Sequence, residues 1–370
     1  MTVSPTERQI AARPYIRLWL YGVATLLVLM VLIGGATRLT DSGLSITEWQ
    51  PLLGVIPPLT PQAWQEAFAK YREIPEYHIV HAGMTIEQFK FIYWWEWVHR
   101  FLGRFIGVAF FLPFLGFVLS RSVERGLWWR LLGLFLLGGA QGALGWYMVK
   151  SGLVDRVDVS QYRLAAHLSL AIAIFAAALW SAWGIGRPRR AVSWQRPASL
   201  VATVLVALVF LQIAAGGFVA GLDAGQGYNT WPLMDGAVIP AGLDAMSPGW
   251  RNLFENALTV QFVHRGIAYL LLAAALANFV VLYRAGGAQW RAATLLALAV
   301  LGQMALGIWT LLEHVPVPLG LLHQAGALLV LVAALWNLDR AASTELGSGQ
   351  VPSAGSGQRQ GIPVPTGTGI

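Results

Sequence analysis

The first long apolar stretch of the chain is LWLYGVATLLVLMVLIGGAT at residues 18–37, which is 20 residues without a charged side chain. An α-helix rises about 1.5 Å per residue, so a stretch of this length spans the roughly 30 Å hydrocarbon core of a bilayer. Seven further uncharged stretches follow, at 105–120, 131–149, 164–186, 197–222, 266–283, 292–312 and 314–338. The sequence therefore predicts an all-α integral membrane protein with eight transmembrane helices.

The amino-acid composition agrees with this fold class and excludes several kinds of site. Of the 370 residues, 56% are hydrophobic and 12% are charged, which is about half the charged share of an ordinary soluble domain. The chain has no cysteine, which excludes disulfides, iron–sulfur clusters, haem ligated by a thiolate and covalently attached c-type haem. A metal must therefore be bound by histidine, methionine or carboxylate side chains.

The distribution of basic residues predicts the orientation in the membrane. With the N-terminus in the cytoplasm, the cytoplasmic segments hold 14 basic and 4 acidic residues, an excess of +10. The outer segments then hold 11 basic and 14 acidic residues, which gives −3. Because short loops rich in arginine stay on the cytoplasmic side, we expect both termini there. The basic character thus reflects topology and does not imply a nucleic-acid partner.

Four sequence markers recur in the same order in the two halves of the chain. Gly34-Gly35 recurs as Gly216-Gly217, 182 residues later. Three more recur at offsets of 165, 162 and 156 residues: Val98-His99-Arg100 as Val263-His264-Arg265, Gln141 as Gln303, and His167 as His323. A repeat of four helices preserves orientation. The sequence therefore predicts two tandem four-helix bundles related by a pseudo-two-fold axis along the membrane normal.

This repeat predicts the domain organisation. We expect, in chain order, a cytoplasmic N-terminal segment, an N-terminal four-helix bundle, a cytoplasmic linker, a C-terminal four-helix bundle and a disordered tail rich in Gly, Ser, Pro and Thr. Their boundaries are 1–17, 18–186, 187–196, 197–338 and 341–370, and the N-terminal bundle includes a large outer loop at 38–95.

The outer loops contain signals for further helices. Thr60-Pro61 predicts the start of a short helix that ends near Tyr71. Thr85 and Gln88 resemble a capping box, so a helix is expected to begin near residue 86 and continue into the second spanning segment. In the shorter loop of the second half, Ser247-Pro248 predicts a helix that leads to His264.

Four of the seven histidines lie at the second, fourth, sixth and eighth spanning segments: His99, His167, His264 and His323. The even-numbered helices all begin at the outer face, so the four side chains are expected at one membrane depth. Each half supplies one histidine from its second helix and one from its fourth, an arrangement that can bind a haem iron from both axial sides. The sequence predicts two such haem sites, with other metals or ordinary polar contacts as alternatives.

Glu96 lies three residues before His99, whereas its counterpart in the repeat is Gln261. A carboxylate beside only one iron site predicts that the first site reacts and that the second transfers electrons or is structural. Glu96 is therefore a candidate catalytic residue. The alternative is an exposed carboxylate that the helix dipole favours at a helix start.

Three arginines follow the histidines: Arg100, Arg104 and Arg265. They are candidates to bind the carboxylates of a haem, with extension to the membrane interface as the alternative. Gln141 and Gln303 lie within apolar segments and are predicted to form hydrogen bonds across the bundle.

Two further groups of polar residues lie outside the spanning segments. Glu76, His78 and His81 form a candidate metal site in the outer loop, although their spacing is loose and a solvated loop is the preferred interpretation. The same interpretation applies to His314 beside Glu313.

These motifs resemble those of the haem A synthases, membrane enzymes that convert haem O to haem A for terminal oxidases. The similarity covers about residues 15–340, and it is carried by GGATRL at 34–39, EWVHR at 96–100 and QFVHR at 261–265. The resemblance implies a duplicated eight-helix fold and the oxidation of one porphyrin methyl group to a formyl group through an alcohol.

The resemblance also implies a role for each site. In the N-terminal bundle, His99 and His167 would bind the substrate haem O while Glu96 assists catalysis. In the C-terminal bundle, His264 and His323 would ligate a haem B cofactor. Many members carry a cysteine pair in an outer loop, and this chain has none, so any dithiol role is absent or replaced here.

Location and partners follow from the same resemblance. The expected location is the bacterial inner membrane, with the haem sites toward the periplasm. Expected partners are the lipid bilayer, a haem O synthase that supplies the substrate, assembly factors of terminal oxidases, an unidentified electron acceptor and further copies of the chain. Two other functional classes stay open: a di-haem electron-transfer protein of the cytochrome b type, and a haem transporter or chaperone.

Overall fold

The computed structural model describes residues 4–50, 53–155, 159–187, 197–286 and 289–343. Within them, helices follow one another in this order: α1 (Glu7–Leu39), α2 (Pro61–Tyr71), α3 (Pro75–Ile79), α4 (Ile86–Leu119), α5 (Arg125–Asp155), α6 (Gln161–Gly184), α7 (Pro197–Gly221), α8 (Asn252–Glu255), α9 (Ala257–Ala285), α10 (Trp290–Leu312) and α11 (Val317–Ser343). Eight of them are long and apolar enough to cross a membrane: α1, α4, α5, α6, α7, α9, α10 and α11. The predicted all-α membrane fold is confirmed.

The helix starts in the large outer loop follow the predicted capping signals. Thr85 and Gln88 form the capping box, in which the Thr85 side chain accepts from the backbone N–H of Gln88 at 3.3 Å. From there α4 runs for 34 residues from the loop into the membrane. Thr60 caps α2 by accepting from the backbone amide of Ala63 at 3.1 Å, with Pro61 at the first helical position. Both predicted loop helices are thus confirmed.

The predicted single helix before His264 is instead interrupted. A 3₁₀ turn at Gly249–Arg251 and the short α8 are followed by Asn256, which has an extended backbone. The Asn256 side chain accepts from the amide of Leu258 at 3.1 Å and so caps a new helix, α9. The prediction of one helix from Ser247-Pro248 to His264 was wrong because this asparagine starts a helix of its own.

The spanning helices contact one another in a pattern that recurs in the two halves. α1 packs on α4 and α6, and α5 packs on α6. In the second half α7 packs on α9 and α11, and α10 packs on α11. The halves meet where α6 packs on α7 and α1 packs on α11. These matching contacts support the predicted pseudo-two-fold relation, which stays a prediction.

The outer loop of the first half has a small core of its own. Phe68, Tyr71, Phe89 and Tyr93 pack together with Leu44, and the side chains of Tyr71 and Phe89 are fully buried. Phe89 and Tyr93 belong to α4, so the core attaches the loop to the outward extension of that helix. Most of the linker at 187–196 and of the tail at 341–370 lies outside the described residues, and their predicted character stays an expectation.

Reporter fusions test the predicted orientation. We expect a fusion after Arg340 to report a cytoplasmic location and a fusion at Lys70 to report a periplasmic one, because the inner segments carry the positive excess. Paired reporters that are active on only one side of the membrane provide the measurement. A periplasmic C-terminus would contradict the topology and the common depth of the four histidines.

Candidate functional site

Each of the four spanning-helix histidines packs its ring against a glycine of a neighbouring helix. A Cβ atom built on that glycine would stand 2.7–3.3 Å from the ring, so little but a hydrogen atom fits there. The pairs are Gly34 with His99, Gly145 with His167, Gly216 with His264, and Gly307 with His323. Gly34 and Gly216 correspond in the repeat, as do Gly145 and Gly307. The two halves thus position their histidines with the same device.

The histidines form one pair in each half. His99 lies within electrostatic range of His167, and His264 lies within range of His323. All four side chains are partly buried. The structure therefore brings together the same two pairs that the sequence predicts, each between the second and fourth helices of its bundle.

Partly buried amides position the histidine-bearing helices. Gln141 donates to the backbone carbonyl of His167 at 3.0 Å, and Gln303 donates to that of His323 at 2.7 Å. The predicted hydrogen bonds across the bundle are confirmed. Gln303 Nε2 also lies 3.1 Å from His323 Nδ1. Sequence reasoning missed Gln212, whose Nε2 lies 3.2 Å from His264 Nε2. The sequence signal that could have identified Gln212 is an isolated amide in an apolar helix, one turn before Gly216.

The arginines beside the histidines hold the outer loops. Arg100 donates to the carbonyls of Ile46 and Glu48 at 2.7 and 3.0 Å. Arg265 donates to the carbonyls of Tyr228 and Thr230 at 2.8 and 2.9 Å. These four acceptors correspond in the repeat, and Arg104 donates to the Gln50 carbonyl in a similar way. Sequence reasoning did not foresee this role.

Both main arginines keep one donor for another partner. The Nε atoms of Arg100 and Arg265 are buried, and neither has a hydrogen-bond partner among the described residues. A buried N–H without a partner is costly, so these two donors are available to an anionic group at the site.

Glu96 is buried, with 2% of its surface exposed, and both of its oxygens are bound. Oε1 accepts from Arg100 at 2.5 Å, whereas Oε2 accepts from the Ser45 hydroxyl at 2.7 Å and from the Ile46 amide at 2.6 Å. The alternative of an exposed helix-start carboxylate is wrong, because the outer loop folds over this side chain.

Gln261 occupies the equivalent position with the opposite hydrogen-bonding polarity. Its Oε1 accepts from Arg265 at 2.7 Å. Its Nε2 donates to the carbonyls of Ala224 and Gly227 at 2.5 and 2.8 Å. The loop of the first half presents donors to a carboxylate, and the loop of the second half presents acceptors to an amide.

The candidate metal residues of the outer loop make other contacts. His81 Nδ1 lies 2.6 Å from the Tyr71 hydroxyl and 4.0 Å from Glu76, whereas His78 is exposed. Burial lowers the pKa of His81 and raises the pKa of Tyr71, so both stay neutral near pH 7. The described residues contain no group of three or more side chains placed to bind a metal ion. His314 lies in the turn after α10.

The site residues fit a haem in each half. Each bundle brings two imidazoles within electrostatic range of one another, and the Nδ1 atoms of His167 and His264 are buried without a hydrogen-bond partner in the described structure. Neutral imidazoles ligate haem iron, and the free Nε donors of Arg100 and Arg265 suit the carboxylates of the porphyrin. The histidine pair and the arginine Nε donor of one half have counterparts at corresponding positions of the other half, although the unpartnered Nδ1 atoms belong to histidines that do not correspond.

Substituting a supporting glycine tests the packing of the histidines. Gly307→Ala places a methyl group 2.7 Å from the His323 ring, so the ring must move. We expect loss of most of the haem bound in the second bundle, measured as haem per purified chain. Gly302→Ala on the same helix is the matched control, because its Cβ meets no described atom within 4 Å. Equal haem content in the two variants would contradict the proposed fit.

Comparison with known proteins identifies the family. The family described as "Cytochrome oxidase assembly protein" (COX15-CtaA) matches residues 17–335. The chain is 53% identical over 342 residues to the "Heme A synthase" of Parvibaculum lavamentivorans, covering 92% of this chain and 98% of the relative. It is 56% identical over 322 residues to the protein of that name from Azorhizobium caulinodans, covering 86% and 92%. The chain therefore belongs to the COX15-CtaA family of cytochrome oxidase assembly proteins.

Proposed function

We propose that the chain is a haem A synthase, a membrane oxidoreductase that converts a methyl group of haem O to the formyl group of haem A. The observation that carries the proposal is the pair of matched histidine pairs, which differ in that Glu96 holds the arginine of the first site and Gln261 holds that of the second. A chain with two identical sites would suit electron transfer alone. The relatives named "Heme A synthase" cover nearly the whole chain, which supports the same conclusion.

The two bundles are proposed to hold different haems. His99 and His167 of the N-terminal bundle at 18–186 would bind the substrate haem O. His264 and His323 of the C-terminal bundle at 197–338 would ligate haem B. In support, both histidines of the second bundle have an amide nitrogen within 3.2 Å of a ring nitrogen, from Gln212 and Gln303.

The residues of this chain would bind and orient these groups. When bound, the haem iron supplies the redox chemistry. The histidines would ligate the iron, and the Nε donors of Arg100 and Arg265 would bind porphyrin carboxylates. Glu96 fixes Arg100 and the loop at Ser45 beside the first site, and its carboxylate is our candidate to accept a proton during oxidation of the methyl group. Arg104 extends the same support to the loop.

Location and partners follow the proposal. A multi-pass protein of this family belongs in the bacterial inner membrane, and we propose that the haem sites lie toward the periplasm. The proposed partners are haem O, the haem O synthase that supplies it, assembly factors of terminal oxidases and an electron acceptor. Pigment extraction separates the competing functions, because haem O or haem A beside haem B supports the synthase, whereas two haem B per chain support a cytochrome.

Removing a ligand tests the cofactor assignment. Each histidine of the second bundle would supply one of the two ligands that hold haem B, so His264→Ala and His323→Ala should each abolish the stable haem B spectrum. Absorption spectra and haem extraction of the purified full chain give the measurement. If both variants retained wild-type haem content, the assignment of haem B to the C-terminal bundle would fail.

Substituting the carboxylate tests the catalytic role. Glu96→Gln copies the second half at this position, and general acid–base contributions are typically about 10²- to 10⁴-fold. We expect haem A formation to fall within or near that range, with haem O or its alcohol accumulating and with haem B retained. A cellular haem profile measures all of these species.

Ser45→Ala provides the control for loop anchoring. In Glu96→Gln the side-chain NH₂ group would face the Ile46 N–H, so two donors would meet and the hydrogen bond to the loop would be lost. Ser45→Ala removes one loop bond to Glu96 Oε2 but keeps the carboxylate. We expect the serine variant to retain most haem A formation. Equal losses in the two variants would show that Glu96 acts only as a loop anchor.

A further inference from the structure

The first bundle is open between α4 and α5 at mid-membrane depth. Every residue of α5 from 135 to 140 is exposed. Six consecutive residues point to all sides of a helix, so the exposed surface includes the side of α5 that faces the bundle as well as the side that faces lipid. The corresponding stretch of α10, residues 297–302, includes the buried residues Ala297 and Val300. α4 and α5 make far less contact than their counterparts α9 and α10. We call the gap between α4 and α5 the lateral cleft.

Aromatic residues hold the walls of the lateral cleft apart. Phe135 of α5 packs on Phe110, Phe111 and Phe114 of α4, with ring centroids 6.4, 5.6 and 6.2 Å apart. In the second half, the counterparts of Phe110 and Phe135 are alanines. These two, Ala275 and Ala297, are buried and allow α9 and α10 to approach closely.

Glycines on the outer side of these aromatics leave the lateral cleft empty. Because α4 and α5 are antiparallel, Gly107 and Gly103 lie on the outer side of Phe110, and Gly138 and Gly142 lie on the outer side of Phe135. A Cβ on Gly107, Gly138 or Gly142 would meet no described atom within 4 Å, and one on Gly103 would meet only Met30 Cε, at 3.5 Å. The second half has a larger residue at all four positions: Leu272, Val300, Ala268 and Met304.

The lateral cleft leads to the first histidine pair. Gly103 and Gly107 follow His99 by one and two turns on the same side of α4, and Gly142 and Gly138 precede Gly145, which supports His167. From Phe110 to His99 the distance along the helix is about 16 Å at 1.5 Å per residue. At the outer end, Gln141 Oε1 and His167 Nδ1 are buried and have no hydrogen-bond partner among the described residues.

We propose that the lateral cleft admits the substrate porphyrin sideways from the bilayer and holds its apolar edge. The inference rests on the proposed function, because only an exchangeable substrate needs such an opening. Haem O is apolar apart from its carboxylates and partitions into the membrane, and it must reach His99 and His167 and leave again as product. The cofactor stays in place, and the bundle assigned to it lacks the gap between its second and third helices.

Filling the lateral cleft tests the proposal. The double variant Gly138→Val with Gly142→Met copies Val300 and Met304 of the second half. We expect haem O uptake by purified full-length protein and haem A formation to fall about tenfold or more, because overfilling a binding space is costly. Haem B per chain should be unchanged, which shows that the variant folds.

Gly133→Leu is the matched control for this variant. It lies on the same helix but on the opposite side, copies Leu295, and its Cβ meets no described atom within 4 Å. Wild-type uptake in the double variant would overturn the lateral cleft as the route. A change of oligomeric state with normal uptake would instead assign the gap to a second copy of the chain. Failure of the wild type to form haem A would refute the proposed function and not the route.

The absence of cysteine permits a second, non-disruptive measurement. Gly142→Cys introduces the only thiol of the chain, and we expect a membrane-soluble maleimide to label it. Haem O should slow this labelling at least about tenfold if it occupies the lateral cleft, whereas Gly133→Cys should be labelled at the same rate with or without haem O. Equal labelling of the Gly142→Cys variant with and without haem O would contradict the proposal.

Discussion

Close contact between an imidazole ring and a helix backbone is the constraint on which the site depends. In a bilayer the hydrophobic effect does not drive helices together, so helices associate where small residues let them approach. A histidine ring packs against the helix backbone at each of four glycines: Gly34, Gly145, Gly216 and Gly307. The position of each ring is therefore set by the packing of the helices. The same packing contacts thus define the bundle and place both pairs of rings, and a change in helix separation becomes a change in site geometry.

The second constraint is electrostatic and separates the two halves. Arg100 and Arg265 hold their loops through matching carbonyls, but Arg100 is paired with a carboxylate and Arg265 with an amide. Glu96 offsets the charge of Arg100, but Arg104 adds a second positive charge one turn further along the helix, so the first half also keeps a positive charge. The two halves therefore differ in the side chain that holds the arginine. A carboxylate that can accept a proton stands in the first half, and an amide that cannot stands in the second.

The sequence predicts those features that depend on local pattern. Apolar length predicted the eight spanning helices, Thr85 with Gln88 predicted the start of α4, and the repeat predicted which histidines pair. It did not predict the interruption at Asn256, where a side chain competes with helix continuation. Nor did it reveal that Arg100 binds loop carbonyls or that Gln212 reaches His264, because these contacts depend on how a loop and a neighbouring helix are placed in three dimensions.

The lateral cleft shows how a duplicated fold can acquire two different sites without changing its frame. The residues that position the histidines are shared by the two halves, since each glycine–histidine contact of one half has its counterpart in the other. The differences lie one to three turns away, where Phe110 and Phe135 replace a pair of alanines and glycines replace larger side chains. The rings of Phe110 and Phe135 keep α4 and α5 apart, and the glycines beside them leave the gap open. The glycine–histidine contacts are unaffected by this separation. In our proposal, exchange of a ligand depends on the middle of α4 and α5, whereas His99 of α4 and Gly145 of α5, nearer their outer ends, help to place the imidazoles.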